Sequence, residues 1–175
     1  MKPMSAEWHA GVLARLRAAG PYCRHAAEFI AAHKIRIGLS RQRTGARWTL
    51  DGRIELHPAT HCLSDPHLLT LIVHEATHLE QGAAYALTVA GELDGWRAQY
   101  HAYTEPGLAV ADPHWQELVR LPQIPSTADL RRARALMLAS AGRGYLIWLL
   151  PLRPNPLTRL VGRAQRMAWK EAPRA

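Results

Sequence analysis

The segment Val73-His74-Glu75-Ala76-Thr77-His78-Leu79 restricts this chain more than any other. It closes the apolar run Leu68 to Leu79, in which Leu68, Leu69, Leu71, Ile72 and Val73 are apolar nearly all round. A helix with that pattern is a buried helix. Two histidines and a glutamate inside it each need a polar partner, because burying such groups alone costs stability. Residues i and i+4 share a helix face, about 5–6 Å apart at Cβ, so His74 and His78 can reach one common point. A metal ion there satisfies both imidazoles. Glu75 sits roughly 100° round the helix, where its carboxylate can meet a water on the metal's open side. With 10 His in the chain, His-Glu-x-x-His is expected by chance about 0.03 times.

Zinc takes neutral imidazole nitrogens, and a catalytic zinc site uses three protein ligands plus a water. The motif supplies two ligands and a base, so a third ligand must come from elsewhere. Gly82 is expected to stop the motif helix. A metzincin would place Gly and His where this chain has Gln81 and Ala84, and no histidine occurs between His78 and His101. Glu92 follows His78 by 14 residues, enough chain to turn and return a carboxylate from a second packed helix. Asp94 is the alternative ligand; its other reading is an i,i+3 pair with Arg97.

His74-Glu75-x-x-His78 followed by Glu92-x-x-Gly95-Trp96 resembles the gluzincin metallopeptidases. It is most similar to the small minigluzincin type, including the ImmA/IrrE-like proteins. The resemblance covers about residues 35–105. It implies an α+β, zincin-like fold, one zinc ion per chain held by His74, His78 and Glu92, and Glu75 as general base. The implied activity is hydrolysis of peptide bonds in a peptide or protein substrate by metal-activated water. Gly95 stands where the family more often has Ala, and both residues let two helices approach closely. In gluzincins the strand before the motif helix rims the cleft, and its open edge can pair with an extended peptide. Arg53, Ile54, Glu55, Leu56 and His57 are the candidates for that strand. Tyr100, His101 and Tyr103, with His114, are candidates to donate to the developing oxyanion.

Helical periodicity covers residues 6–19 and 22–33, broken at Gly20-Pro21, with Trp8, Val12, Leu13 and Leu16 as the inner stripe. Ile35, Ile37 and Leu39 then alternate with Arg36 and Gly38, which reads as a strand. Arg47 to Leu50 and Arg53 to His57 flank Asp51-Gly52 and read as a hairpin with a two-residue turn. About three strands thus precede the motif helix, which Asp65-Pro66 should open as N-cap and first helical residue. A second helix is expected over about 84–103 and a short one near Trp115-Val119. A long helix capped by Ser126 or Thr127 should end at Gly142 and Gly144, and a last helix should cover about 156–170. The whole is expected to form one domain, with the core near 35–105, an N-terminal helical segment over 1–33 and a basic helical segment over 126–175.

Residues 1–125 hold 12 Lys+Arg and 12 Asp+Glu, whereas residues 126–175 hold 10 Lys+Arg against Asp129 and Glu171. The net charge of +8 therefore lies in the last 50 residues. Arg159, Arg163 and Arg166 recur there at helical spacing. Such a segment suits an anionic partner such as nucleic acid, a membrane surface or an acidic protein. That suggests the alternative function, a regulatory or binding protein on the same scaffold with little proteolysis. A third possibility is hydrolysis of another amide, such as a peptidoglycan cross-bridge, in a phage-encoded protein. Cys23 and Cys62 make no disulfide framework; Cys62 reads as a buried free thiol, with approach to the metal as its other reading. No secretory leader or membrane-spanning run is evident, and the apolar run Tyr145 to Leu152 is far too short to cross a bilayer. A cytoplasmic location is expected.

Overall fold

A computed structural model describes residues 2–142 and 145–171, with side chains to residue 165. Gly144 and the side chain of Arg166 lie outside the described residues. The order is β1 (Lys2–Pro3), α1 (Ala6–Ala19), α2 (Pro21–Ala32), β2 (Arg36–Leu39), β3 (Ala46–Trp48), β4 (Arg53–Leu56), α3 (Pro66–Gln81), α4 (Ala83–Ala86), α5 (Val89–Thr104), α6 (Pro113–Val119), α7 (Thr127–Ala141) and α8 (Pro156–Glu171), with short 3-10 turns at Pro58–Thr60 and Ile147–Leu149. The fold is α+β, a small sheet flanked by helices.

The caps are the expected ones. Asp65 accepts from the His67 N–H with Pro66 at the first helical position of α3. Ser126 and Asp129 form a reciprocal capping box on α7, which satisfies orphan N–H donors at a helix start. One helix expected over 84–103 is instead two. The chain leaves α4 at Leu87, and Thr88 caps α5 by accepting from the Gly91 N–H at 3.0 Å.

The sheet has four strands in the order β1-β2-β4-β3. The expected three are joined by β1, antiparallel to β2 with Lys2 opposite Leu39. β2 and β4 are parallel, and β3 and β4 form an antiparallel hairpin. Its loop has three residues, Leu50 to Gly52, because the Thr49 N–H still bonds the Arg53 carbonyl at 3.0 Å. Thr49 with Arg53 and Gly45 with His57 are hydrogen-bonded pairs. Such pairs alternate along an antiparallel ladder, so the backbone groups of Ala46 and Trp48 point away from β4, to the open side of the sheet.

Two apolar clusters fix the helices. The first joins α1, α2, the sheet and α3, with Leu16, Ile30, Ile54, Leu56, Leu68 and Ile72 at its centre. The second joins α5 to α6, α7 and the segment after residue 145 through Leu93, Trp96, Leu118, Leu130, Met137 and Ile147. Ala98 and Ala102 of α5 pack on the first cluster, whereas Val89, Ala90, Leu93 and Trp96 belong to the second. Helix α5 therefore lies at the seam, packed extensively along α3.

Candidate metal centre

His74 and His78 lie one turn apart on α3 and are 6% and 1% exposed. Their Nε2 atoms converge to 2.9 Å. Glu92, in the first turn of α5, completes the group: His74 Nε2 is 3.6 Å from Oε2 and His78 Nε2 is 3.6 Å from Oε1. An ion bound tetrahedrally at about 2.0–2.1 Å needs donors roughly 3.3 Å apart, a value that the 2.9 Å and 3.6 Å contacts of this group bracket. His74, His78 and Glu92 form a group that could hold a metal ion, by geometry and by donor type.

Gly95 is what lets α5 come this close. A Cβ there would sit 3.1 Å from Cε1 of both imidazoles and 3.2 Å from His74 Nε2. An Ala at this position would therefore not be neutral, since the two rings fill the space its methyl would take. His78 has a second partner: its Nδ1 meets Gln81 Oε1 at 3.2 Å, and the Gln81 amide donates to the Gly91 carbonyl. A carbonyl oxygen can only accept, so Gln81 holds the Nδ1–H tautomer and leaves the Nε2 lone pair aimed at the triad centre.

The charges are strongly coupled. Burial disfavours the His78 imidazolium, but Glu92 and Glu75 outweigh it and raise the group to about 9. Burial also opposes ionisation of Glu92, yet the two histidines hold it well below the usual carboxylate range. Without metal the triad is thus a buried imidazolium–carboxylate pair. Glu75 is 7% exposed. Burial pushes its carboxyl upward, and Glu92 adds to the rise against the lowering effect of the two histidines and of the Trp48 backbone. The open side of β3 therefore faces the base.

One residue of the site escaped the sequence reading. The Tyr145 hydroxyl donates to Glu92 Oε2 and lies 3.5 Å from His74 Nε2. It accepts from the Trp96 indole N–H at 3.0 Å. Burial, with the Glu92 charge next, keeps the phenol protonated far above its ordinary range. The cause of this placement is backbone anchoring. The Val89 and Ala90 N–H groups, orphans at the start of α5, donate to the carbonyls of Pro151 and Leu152. That ties the segment following Tyr145 to the turn that carries Glu92.

Other expected site residues lie elsewhere. Asp94 is turned from the triad, accepting from the Tyr85 hydroxyl at 3.2 Å and facing Arg97 at 3.7 Å. Tyr100 packs edge-on to Trp115, and His101 stacks on Tyr22. Tyr103 shares the Glu92 face of α5, but eleven residues separate them, about 16 Å along the axis; its ring meets Trp115. His114 is exposed in the first turn of α6. Arg53 to Leu56 form an interior strand with both edges paired, so that strand has no edge for a peptide, and His57 instead caps the following turn. The edge strands are β1 and β3, and β3 is the one beside Glu75. Cys23 is buried, whereas Cys62 is exposed beside Ser64 and is neither a buried thiol nor a ligand. No protein-family model, curated protein or solved structure matches the chain. No described helix is long and apolar enough to cross a membrane.

Proposed function

We propose that the protein is a zinc-dependent endopeptidase of gluzincin type, with His74, His78 and Glu92 as ligands and Glu75 as general base. The observation that carries this reading is the convergence of two imidazoles and one carboxylate from α3 and α5, with a second buried carboxylate, Glu75, beside them. Two nitrogens and one oxygen are a common catalytic zinc set, which leaves a position for water. A zinc ion there would polarise a substrate carbonyl and make the water a better nucleophile. A buried ion pair alone is a weak source of stability, so the polar triad has a better account as a metal site than as a structural device.

The side chains divide the remaining work. Glu75, raised in pKa by burial, takes a proton from the water and delivers it to the leaving amine nitrogen. Tyr145, still protonated, would turn its one O–H from Glu92 to the carbonyl oxygen as charge develops there, while its oxygen still accepts from the Trp96 indole. The Ala46 N–H and the Trp48 carbonyl lie on the open side of β3, where an extended peptide can add as a further strand, while the Trp48 N–H is held by Glu75 and the Ala46 carbonyl by the Thr44 hydroxyl. No covalent intermediate with the protein is needed.

The test uses the zinc-loaded protein and a mixed peptide library read by mass spectrometry. New cleavage products should appear with the native chain and vanish with Glu75→Gln, while zinc content stays the same. Equal cleavage by both proteins would remove Glu75 as base. No cleavage by either would favour the binding-protein alternative.

A further inference from the structure

Among its described side chains, residues 156–165, helix α8 has three distinct faces, of which one is packed against the rest of the protein. At 100° per residue, Thr158, Gly162 and Gln165 share one face, and all three are buried. They lie on α4: a Cβ on Gly162 would stand 2.7 Å from Ala84 Cβ, and Gln165 Oε1 accepts from the Ala83 N–H at 2.6 Å. This contact, as far as residue 165, is made of small and polar groups, and Leu157 and Leu160 take no part in it. Leu157 and Leu160 are 68% and 62% exposed, and Ala164 is exposed beside them. The third face carries Arg159 and Arg163, both exposed.

We propose that α8 docks the protein on an anionic lipid bilayer, with Leu157, Leu160 and Ala164 in the headgroup–acyl boundary and Arg159 and Arg163 against the lipid phosphates. An exposed apolar stripe bordered by arginines is what an in-plane interfacial helix presents. The occupant follows from charge and from the leucines together. Residues 126–175 carry 10 Lys+Arg against two acids, which selects a negative surface and disfavours a second copy of this chain, since a two-fold contact would bring like charges together. Nucleic acid would use the arginines on its phosphates but gain little from two exposed leucines. An anionic bilayer uses both faces at once, and α8 lies on its surface without crossing it.

The experiment is co-sedimentation of the full chain with vesicles of phosphatidylcholine alone and with vesicles that also contain phosphatidylglycerol. Binding should be at least about tenfold tighter to the anionic vesicles and should weaken with salt. Leu157→Ser with Leu160→Ser should lower it about tenfold or more, and Arg159→Gln with Arg163→Gln about 20-fold. All four positions are exposed, so circular dichroism should confirm unchanged folding. Absence of sedimentation with either vesicle, or equal sedimentation with both, would overturn the proposal. So would binding to duplex DNA that only the arginine variant loses, or self-association that the leucine variant abolishes.

Discussion

Zinc uptake at the triad must expel protons, and the number can be worked from the site. Without metal, His78 titrates near 9 because Glu92 and Glu75 outweigh the cost of burying its charge. At pH 7 its imidazole is therefore almost fully protonated, while a metal needs the Nε2 lone pair. Binding should release about one proton from His78. Apparent affinity should rise about tenfold per pH unit, or roughly 100-fold from pH 6.5 to 8.5. The assay is calorimetric titration of the metal-free protein with zinc in two buffers of different protonation enthalpy. Release of less than about half a proton at pH 7, or an affinity flat across that range, would refute the coupled triad.

The same pair sets the pH dependence of the metal-free fold. His78 is raised in the folded state, so its contribution is complete below the unfolded value of about 6.5 and is lost as pH rises through about 9. The magnitude is about 3 kcal/mol. Glu92 is depressed, so its contribution is present above the ordinary carboxylate range and is lost as pH falls through its folded value. On these two groups, the metal-free protein loses stability between about pH 6.5 and 9, and the gap in Tm between metal-loaded and metal-free protein widens over that interval.

Two further substitutions probe the shell around the metal. Tyr145→Phe removes the donor beside Glu92 and His74; kcat should fall about 10²–10³-fold with zinc content unchanged, as steady-state kinetics and metal analysis would show. Gly95→Ala places a methyl 3.1 Å from both imidazole rings; displacing them by a few tenths of an ångström should weaken zinc binding roughly tenfold, measured by competition with a chelating dye.

The parts of this site that were legible in the sequence are those fixed by local periodicity. The i,i+4 histidines, the Asp65-Pro66 helix start and the placement of Glu92 on the next helix all follow from spacing along one or two elements. Tyr145 was not legible. It lies 53 residues beyond Glu92 at the head of an apolar run, and only the bonds from Val89 and Ala90 to Pro151 and Leu152 bring it to the triad. Its one sequence signal is a phenol opening a run that must be buried, since a buried hydroxyl needs a partner. The substrate strand failed for a related reason. Arg53 to Leu56 and Ala46 to Trp48 have similar alternation, and which one is the edge depends on where β2 inserts, a crossover that no local pattern records. The break at Leu87-Thr88 was hidden by apolar residues on both sides, although Thr88 is a good helix cap.

The most direct measurement is the metal content of protein purified without added metal, by elemental analysis, for the native chain and for His74→Ala, His78→Ala and Glu92→Ala. The account predicts about one zinc per native chain, as a three-ligand site holds, and loss of that zinc in each variant. No zinc in the native chain, with none taken up on addition, would leave the triad a buried ion pair and end the peptidase reading.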